Sequence, residues 1–279
     1  MRCLAPLFMP SLNGIRLALL EARRSAELSE LVRRLGGVPY SVPAVREVPC
    51  PEHVPAFLDA LCAGRFSVVV CLTGAGLSRL LREAEQSGRL EETIAALRRL
   101  TTVCRGPKPS AVLRQYDVPV QIKAAEPYTT KEVLDALTTV DLKERTVALL
   151  HYGERNQPLA DALRARGATL EELCLYEWKL PEDVEPLKTL VNELVSGRVD
   201  AIAVTSQIQC RHLFEIADSV NQSAALVEAL NRRVIVAAIG PVCVAALNAY
   251  GITPRVVPTQ PKMGILVTQL AEYVSKQKQ

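Results

Sequence analysis

The sequence predicts an α/β protein of two doubly wound parallel-sheet domains related by internal duplication. Three observations predict it. Apolar runs alternate with amphipathic helical patterns along the chain, the pattern recurs once, and 279 residues are enough for two domains of ordinary size.

The recurrence is visible in short matches at a nearly constant offset. GPKPSAVLRQY (106–116) and GPVCVAALNAY (240–250) share Gly, Pro, Ala, Leu and Tyr at the same positions. LALL (17–20) matches VALL (147–150), and Pro51-Glu52 matches Pro181-Glu182, both 130 residues apart. VVVCLT, ending at Thr73, matches AIAVT, ending at Thr205. A unit this long is a duplicated domain-sized segment, not a solenoid repeat.

Each copy reads in the same order. An apolar strand comes first (Ile15 to Leu20; Thr146 to Leu150). A helix with leucines at helical spacing follows (Ala26 to Leu35; Leu159 to Arg166), stopped by Gly36-Gly37 or Gly167. The second strand (Val38 to Val45; Thr169 to Tyr176) runs into a proline-containing connector, REVPCPE or EWKLPE. A helix, the strand ending at Thr73 or Thr205, two helices and the strand before Gly106 or Gly240 come next. A helix, a short strand and a final helix complete the copy. Continuous apolar strands between helices imply parallel sheets covered on both faces. Whether each copy forms its own domain or the copies exchange parts is left open by the pattern.

Composition narrows the function classes. Hydrophobic residues make up 49% and aromatic ones 4%, so the cores are aliphatic. Lys+Arg 33 against Asp+Glu 30 gives +3 without a polybasic block, which gives no support to a nucleic-acid partner. The eight cysteines carry no CxxC and mostly sit in apolar runs, as buried thiols of a cytoplasmic protein would. His53, His151 and His212 share no ligand spacing, so no metal site is expected. The apolar start after Arg2 is broken by Pro6 and Pro10 and lacks a cleavage pattern. The stretch from Val234 to Pro254 has no charge and is long enough to span a bilayer, but Gly240-Pro241 divides it into a strand and a helix. No membrane partner is expected.

Ligands of such sheets bind beyond the carboxyl ends of the strands. The strand-end loops are Glu21 to Ser25, Thr73 to Leu77, Arg105 to Pro109, His151 to Arg155, Thr205 to Gln209 and Gly240 to Cys243. Thr73-Gly74-Ala75-Gly76 opens like a dinucleotide fingerprint, but Arg79 occupies the third glycine position. No phosphate loop, GxSxG elbow or HExxH is present, so no cofactor is expected. A fold with well-formed loops and no recognisable catalytic set either binds a ligand or catalyses by holding its substrate in shape.

From about Ile15 to its end the chain resembles the uroporphyrinogen-III synthase family. The resemblance is carried by EARRSAELSELVRRLGG, LTGAG, CRGPKP, LYEW, TSQIQCRHLF, AIGPVCVAAL, GITPRVV and PKMGILVTQL. It implies a cytoplasmic, monomeric, cofactor-free lyase that cyclises hydroxymethylbilane with inversion of the last pyrrole. It also implies one discontinuous domain (1–44 with 180–279), one inserted domain (50–176) and a two-strand hinge (45–49 and 177–179), with substrate in the cleft between the domains. The substrate's acetates and propionates call for anion contacts. Arg23, Arg24, Thr73, Gly74, Arg105, Gly106, Lys108, Thr205, Ser206 and Gly240 are the substrate-binding candidates, by side chains or helix N-termini. Tyr176 of LYEW, at the end of the second copy's second strand, is the candidate general acid toward the departing hydroxyl. Arg164, on a helix face expected to lie far from any strand-end loop, serves as a comparison for Arg24. Pro109 and Cys243 stand where family members often carry Thr, a departure that puts a hydroxyl donor in doubt. A non-catalytic tetrapyrrole-binding module on the same fold is the alternative; a hinged periplasmic-type binder is opposed by the unpaired cysteines.

Overall fold

The structure, a computed structural model, describes residues 10–277 except Tyr152. Residues 1–9 and 278–279 at the ends of the expected 1–44 and 180–279 segments, and Tyr152 in the expected His151–Arg155 loop, lie outside the described residues. The chain forms two compact units, Met1–Arg46 with Lys179–Gln279, and Glu47–Trp178.

The Glu47–Trp178 unit holds a five-stranded parallel sheet of order β6-β5-β4-β7-β8: β4 (Val68–Cys71), β5 (Thr101–Cys104), β6 (Ile122–Lys123), β7 (Thr146–Leu150) and β8 (Thr169–Leu173). Alternation along β4 divides its side chains between two layers. Val69 and Cys71 pack with Leu58, Leu80 and Leu97 of α2 (Val54–Cys62), α3 (Gly74–Gln86) and α4 (Leu90–Arg98). Val68 and Val70 pack with Val133 and Leu159 of α6 (Thr130–Ala136) and α7 (Gln157–Ala165). Each fully buried leucine contributes about 2 kcal/mol, so both faces are needed to hold the sheet. Helix α5 (Pro107–Gln115) follows β5.

The other unit holds a four-stranded parallel sheet of order β11-β10-β1-β2: β1 (Arg16–Leu19), β2 (Val38–Ser41), β10 (Ala201–Val204) and β11 (Ile235–Ala238). Val256 bridges to Ala237 in parallel where the other sheet has β6. One face packs with α1 (Ser25–Arg34) and α12 (Met263–Gln277) through Leu28, Val32, Leu266 and Leu270. Helices α8 (Glu185–Val195), α9 (Gln207–Ser219), α10 (Ser223–Arg232) and α11 (Pro241–Ala249) complete it. The uncharged 234–254 stretch is thus β11, a turn and α11. Among the described residues no helix is long and apolar enough to cross a membrane.

The expected stop signals act as glycines in left-handed conformation. Gly36 (φ +74°) and Gly167 (φ +84°) follow α1 and α7. In each case the next residue donates back to the last turn, Gly37 N to Val32 O at 2.9 Å and Ala168 N to Leu163 O at 3.2 Å.

Two corrections concern the strands around the connectors. The second strand of each copy is shorter than the apolar run suggests, ending at Ser41 and Leu173. Tyr176 therefore does not end that strand. It opens a separate strand, β9 (Tyr176–Lys179), which pairs with β3 (Arg46–Pro49) in a two-stranded ribbon. Cys50 N donates to Leu175 O at 3.1 Å at the foot of that ribbon.

Candidate functional site

In each sheet the winding reverses at one place. In the five-stranded sheet β4 leads outward to β5 and β6 on one side, and β7 leads to β8 on the other. In the four-stranded sheet β10 leads to β11 and β1 to β2. The strand ends at these reversals are where a doubly wound sheet opens a crevice for ligands.

At the reversal in the Glu47–Trp178 unit, Thr73 caps α3. Its extended backbone turns the side chain over the helix start, and Oγ1 accepts from Gly76 N at 3.0 Å. The same Oγ1 lies 3.3 Å from the Tyr176 hydroxyl, and either oxygen can donate. Tyr176 is buried and meets Trp178 edge to face, ring centroids 5.2 Å apart. The glycines of LTGAG serve close approach. A Cβ on Gly74 would lie 3.0 Å from the carbonyl oxygen of Lys108, so α3 and α5 touch backbone to backbone. A Cβ on Gly76 would lie 3.3 Å from His151 O and 3.8 Å from the Tyr176 ring. Gly106, the residue before α5, is extended and lies against the Tyr128 ring. Thr73, Gly74, Gly106, Lys108 and Tyr176 are therefore brought together. Arg105, half-buried beside them, donates its backbone N–H to Cys71 O at 3.1 Å. Pro107 and Pro109 have no N–H to offer at the start of α5, which leaves the exposed Lys108 as its cationic contribution. Ser110 Oγ donates to Gly106 O at 2.9 Å.

The sequence reading missed a charged cluster at the end of β7. His151 is buried; its Nδ1 accepts from Asn156 N at 3.1 Å, so Nε2 carries the proton and donates to Glu172 Oε2 at 2.8 Å. Burial lowers the His151 pKa against the opposing pull of Glu172. Glu172 on β8 also receives Arg155 Nε at 2.7 Å, Arg155 Nη2 at 2.6 Å and Arg164 Nη2. Burial pushes the Glu172 pKa up, but the hydrogen bonds from Arg155, His151 and Arg164 outweigh it and bring it to about 2. Arg164 is thus not remote from the strand-end loops: Glu172 ties it to Arg155 in the loop after β7. The hint was a histidine ending the apolar VALL run, but nothing local joins it to residue 172.

The reversal in the other unit is arranged differently. Thr205 does not cap α9. Its N–H donates to Gln209 Oε1 at 2.8 Å, and its hydroxyl lies 3.0 Å from Glu21 Oε2 as donor. Gln209, buried, also donates Nε2 to Thr205 Oγ1 at 2.9 Å. Glu21 follows β1 and takes Arg23 N at 3.2 Å on its other oxygen. Ser206 and Gly240 precede α9 and α11, and neither caps its helix with a side-chain hydrogen bond. Gly240 has extended backbone, and a Cβ there would make only ordinary contact with Pro261 at 3.5 Å. Arg24 lies exposed at the start of α1, its Nε 2.8 Å from Glu27 Oε2. Cys243, in the first turn of α11, is buried, and burial pushes its thiol up to about 12. Glu21 and Gln209 are the residues missed here; a single Glu after a strand carries no sequence signature. Among the described residues no three His, Cys, Asp or Glu groups are placed to hold a metal.

Comparison with known proteins gives a consistent picture. The family model for uroporphyrinogen-III synthase HemD matches residues 26–268. YjjA, an uncharacterized protein of Bacillus subtilis, is 30% identical over 94% of this chain and 97% of its own length. A mutant uroporphyrinogen III synthase from Thermus thermophilus superposes with a TM-score of 0.77 at 28% identity, covering 95% of this chain and all of that one. The wild-type enzyme in another crystal form gives 0.62 at 30% identity, with the same coverage.

Proposed function

Because the chain belongs to the uroporphyrinogen-III synthase family, we propose that it cyclises hydroxymethylbilane to uroporphyrinogen III, inverting ring D and releasing water. The observation that supports this reading is that the strand-end loops of each unit carry groups suited to anions. Helices α9 and α11 follow β10 and β11 without side-chain caps; α9 offers its first backbone N–H groups, α11 only those after Pro241, and the positive helix ends suit carboxylates. In the other unit Lys108 and Arg105 supply the positive charge. A substrate with an acetate and a propionate on every pyrrole calls for groups of this kind.

The chemistry asked of these residues is geometric. Closure without guidance gives the symmetric type I ring; the type III ring needs the substituted carbon of the last pyrrole to be attacked first. Holding the two ends in that arrangement is worth several kcal/mol, and rejecting the competing closure is a matter of specificity. Tyr176 acts through Thr73 in this reading, its phenol hydroxyl 3.3 Å from Thr73 Oγ1 and available to assist the departing hydroxyl. Incubation with freshly prepared hydroxymethylbilane, followed by separation of the ring isomers, tests the proposal: type III product supports it, and type I alone at the spontaneous rate refutes it.

A further inference from the structure

The two reversals carry equivalent threonines with different partners, and the difference has chemical content. Glu21 and His151 occupy matching places, each directly after the strand that lies beside the threonine-ended one. In the Glu47–Trp178 unit that place is held by a neutral imidazole whose ring nitrogens are both engaged. In the other unit it is held by a carboxylate, half-buried, with one donor on each oxygen. Each oxygen keeps a lone pair for another donor.

A carboxylate is an unexpected group among contacts for an eight-fold acid. It is hydrogen-bonded to Thr205, which precedes α9, and Arg23 and Arg24 follow it in the same strand-end loop. Groups suited to anions thus share the loops at this strand end with a single acceptor. A linear tetrapyrrole has the matching pattern, carboxylates at its periphery and pyrrole N–H groups along its inner edge. From this we infer that Glu21 faces the pyrrole N–H groups of the substrate and stabilises the cation formed when the hydroxyl leaves. The inference rests on the proposed cyclisation.

The charge balance is simple. The C–O bond of the hydroxymethyl group breaks, and oxygen leaves with the bonding pair, taking a proton to become water. The pyrrole nitrogen lone pair feeds the new exocyclic double bond, so that ring carries one positive charge. Attack by the substituted carbon of the last pyrrole forms a C–C bond and a spiro centre. The older bond from that carbon to its neighbouring methylene then breaks, and the methylene rejoins at the free α-carbon of the same pyrrole. Loss of the proton from that α-carbon restores neutrality. Glu21 faces a neutral pyrrole before ionisation and a cation after it, so its attraction is stronger in the transition state than in the ground state.

Two variants separate this role from a structural one. Glu21→Gln keeps an oxygen to accept the Thr205 hydroxyl and removes the charge; Glu21→Asp keeps the charge on a shorter arm. The expected result for Glu21→Gln is kcat reduced about tenfold to a hundredfold, from one charge pair a few ångströms apart in a partly buried site. Its KM stays the same or falls, because a charge that repels the substrate's carboxylates is gone, and the type I fraction rises as spontaneous closure competes. Glu21→Asp recovers part of the rate. An unchanged kcat in folded Glu21→Gln, or equal losses in the two variants, overturns the inference while leaving the cyclisation intact. A wild-type protein that makes no type III ring overturns the cyclisation itself, and the inference with it.

Discussion

Replacing Glu172 with Gln tests how the strand-end loop after β7 is held. The carboxyl is 14% exposed and receives Arg155, Arg164 and His151. Its pKa of about 2 instead of 4.5 corresponds to roughly 3 kcal/mol favouring the ionised form in the folded protein. Arg155 and Arg164 are 54% and 41% exposed, and solvent screening of such partners reduces the contribution to about 1.5–2 kcal/mol. Gln keeps the acceptor for His151 Nε2, so the imidazole stays satisfied and the loss is chiefly that of the ion pairs. The sign of the pH dependence follows from the depressed pKa. The stabilisation is fully present above the unfolded value near 4.5 and is lost as pH falls toward 2. His151, whose pKa is lowered by burial, works in the same direction: the unfolded imidazole binds a proton first as pH drops below about 6.5. Urea unfolding of both proteins at pH 7 should show Glu172→Gln less stable by about 1.5–2 kcal/mol. The gap should narrow steadily between pH 4.5 and pH 3. Equal stability at pH 7, or a gap independent of pH, refutes the reasoning.

Five further substitutions, two of them as comparisons, probe the strand-end loops. Tyr176→Phe removes the hydroxyl 3.3 Å from Thr73 Oγ1; stability should drop by about 1 kcal/mol and turnover by roughly tenfold, with type III product retained because shape still directs closure. Gly74→Ala pushes a Cβ to 3.0 Å from Lys108 O, whereas Gly240→Ala meets only Pro261 at 3.5 Å. Thermal melts should show the first destabilised by about 1–2 kcal/mol and the second within about 0.5 kcal/mol of wild type. Arg24→Glu should raise KM about tenfold at low salt, an effect that salt screens. Arg34→Glu, at the opposite end of the ten-residue α1 and so about 15 Å away, should leave KM within twofold; equal effects would remove Arg24 from the substrate's surroundings.

The order of strands and helices could be read along the chain because it is written in local periodicity and in stop signals such as Gly36 and Gly167. The break between β8 and β9 was hidden, since the apolar character runs on through Leu173, Leu175 and Tyr176 while the pairing partner changes from β7 to β3. Partner choice is a long-range property that composition does not record. The strand-end loops were equally visible, but not what their residues hold. Gly74 reads as part of an incomplete dinucleotide fingerprint and a substrate-binding candidate, and it serves the contact of α3 with Lys108. Thr205 reads as a substrate-binding candidate at a strand end, and its hydroxyl goes to Glu21, 184 residues away. His151, Glu172 and Arg164 are ordinary residues of a strand end, a strand and a helix until the β7–β8 pairing brings them together.

The most direct test of the central claim is the ring-isomer ratio as a function of protein concentration, measured at a fixed time with a metal chelator present throughout. The synthase reading predicts a type III fraction that climbs with protein concentration until spontaneous type I closure is suppressed. A fraction that stays at the uncatalysed, all-type I value while the protein binds the tetrapyrrole would contradict it, and would make the chain a binding module on the synthase fold.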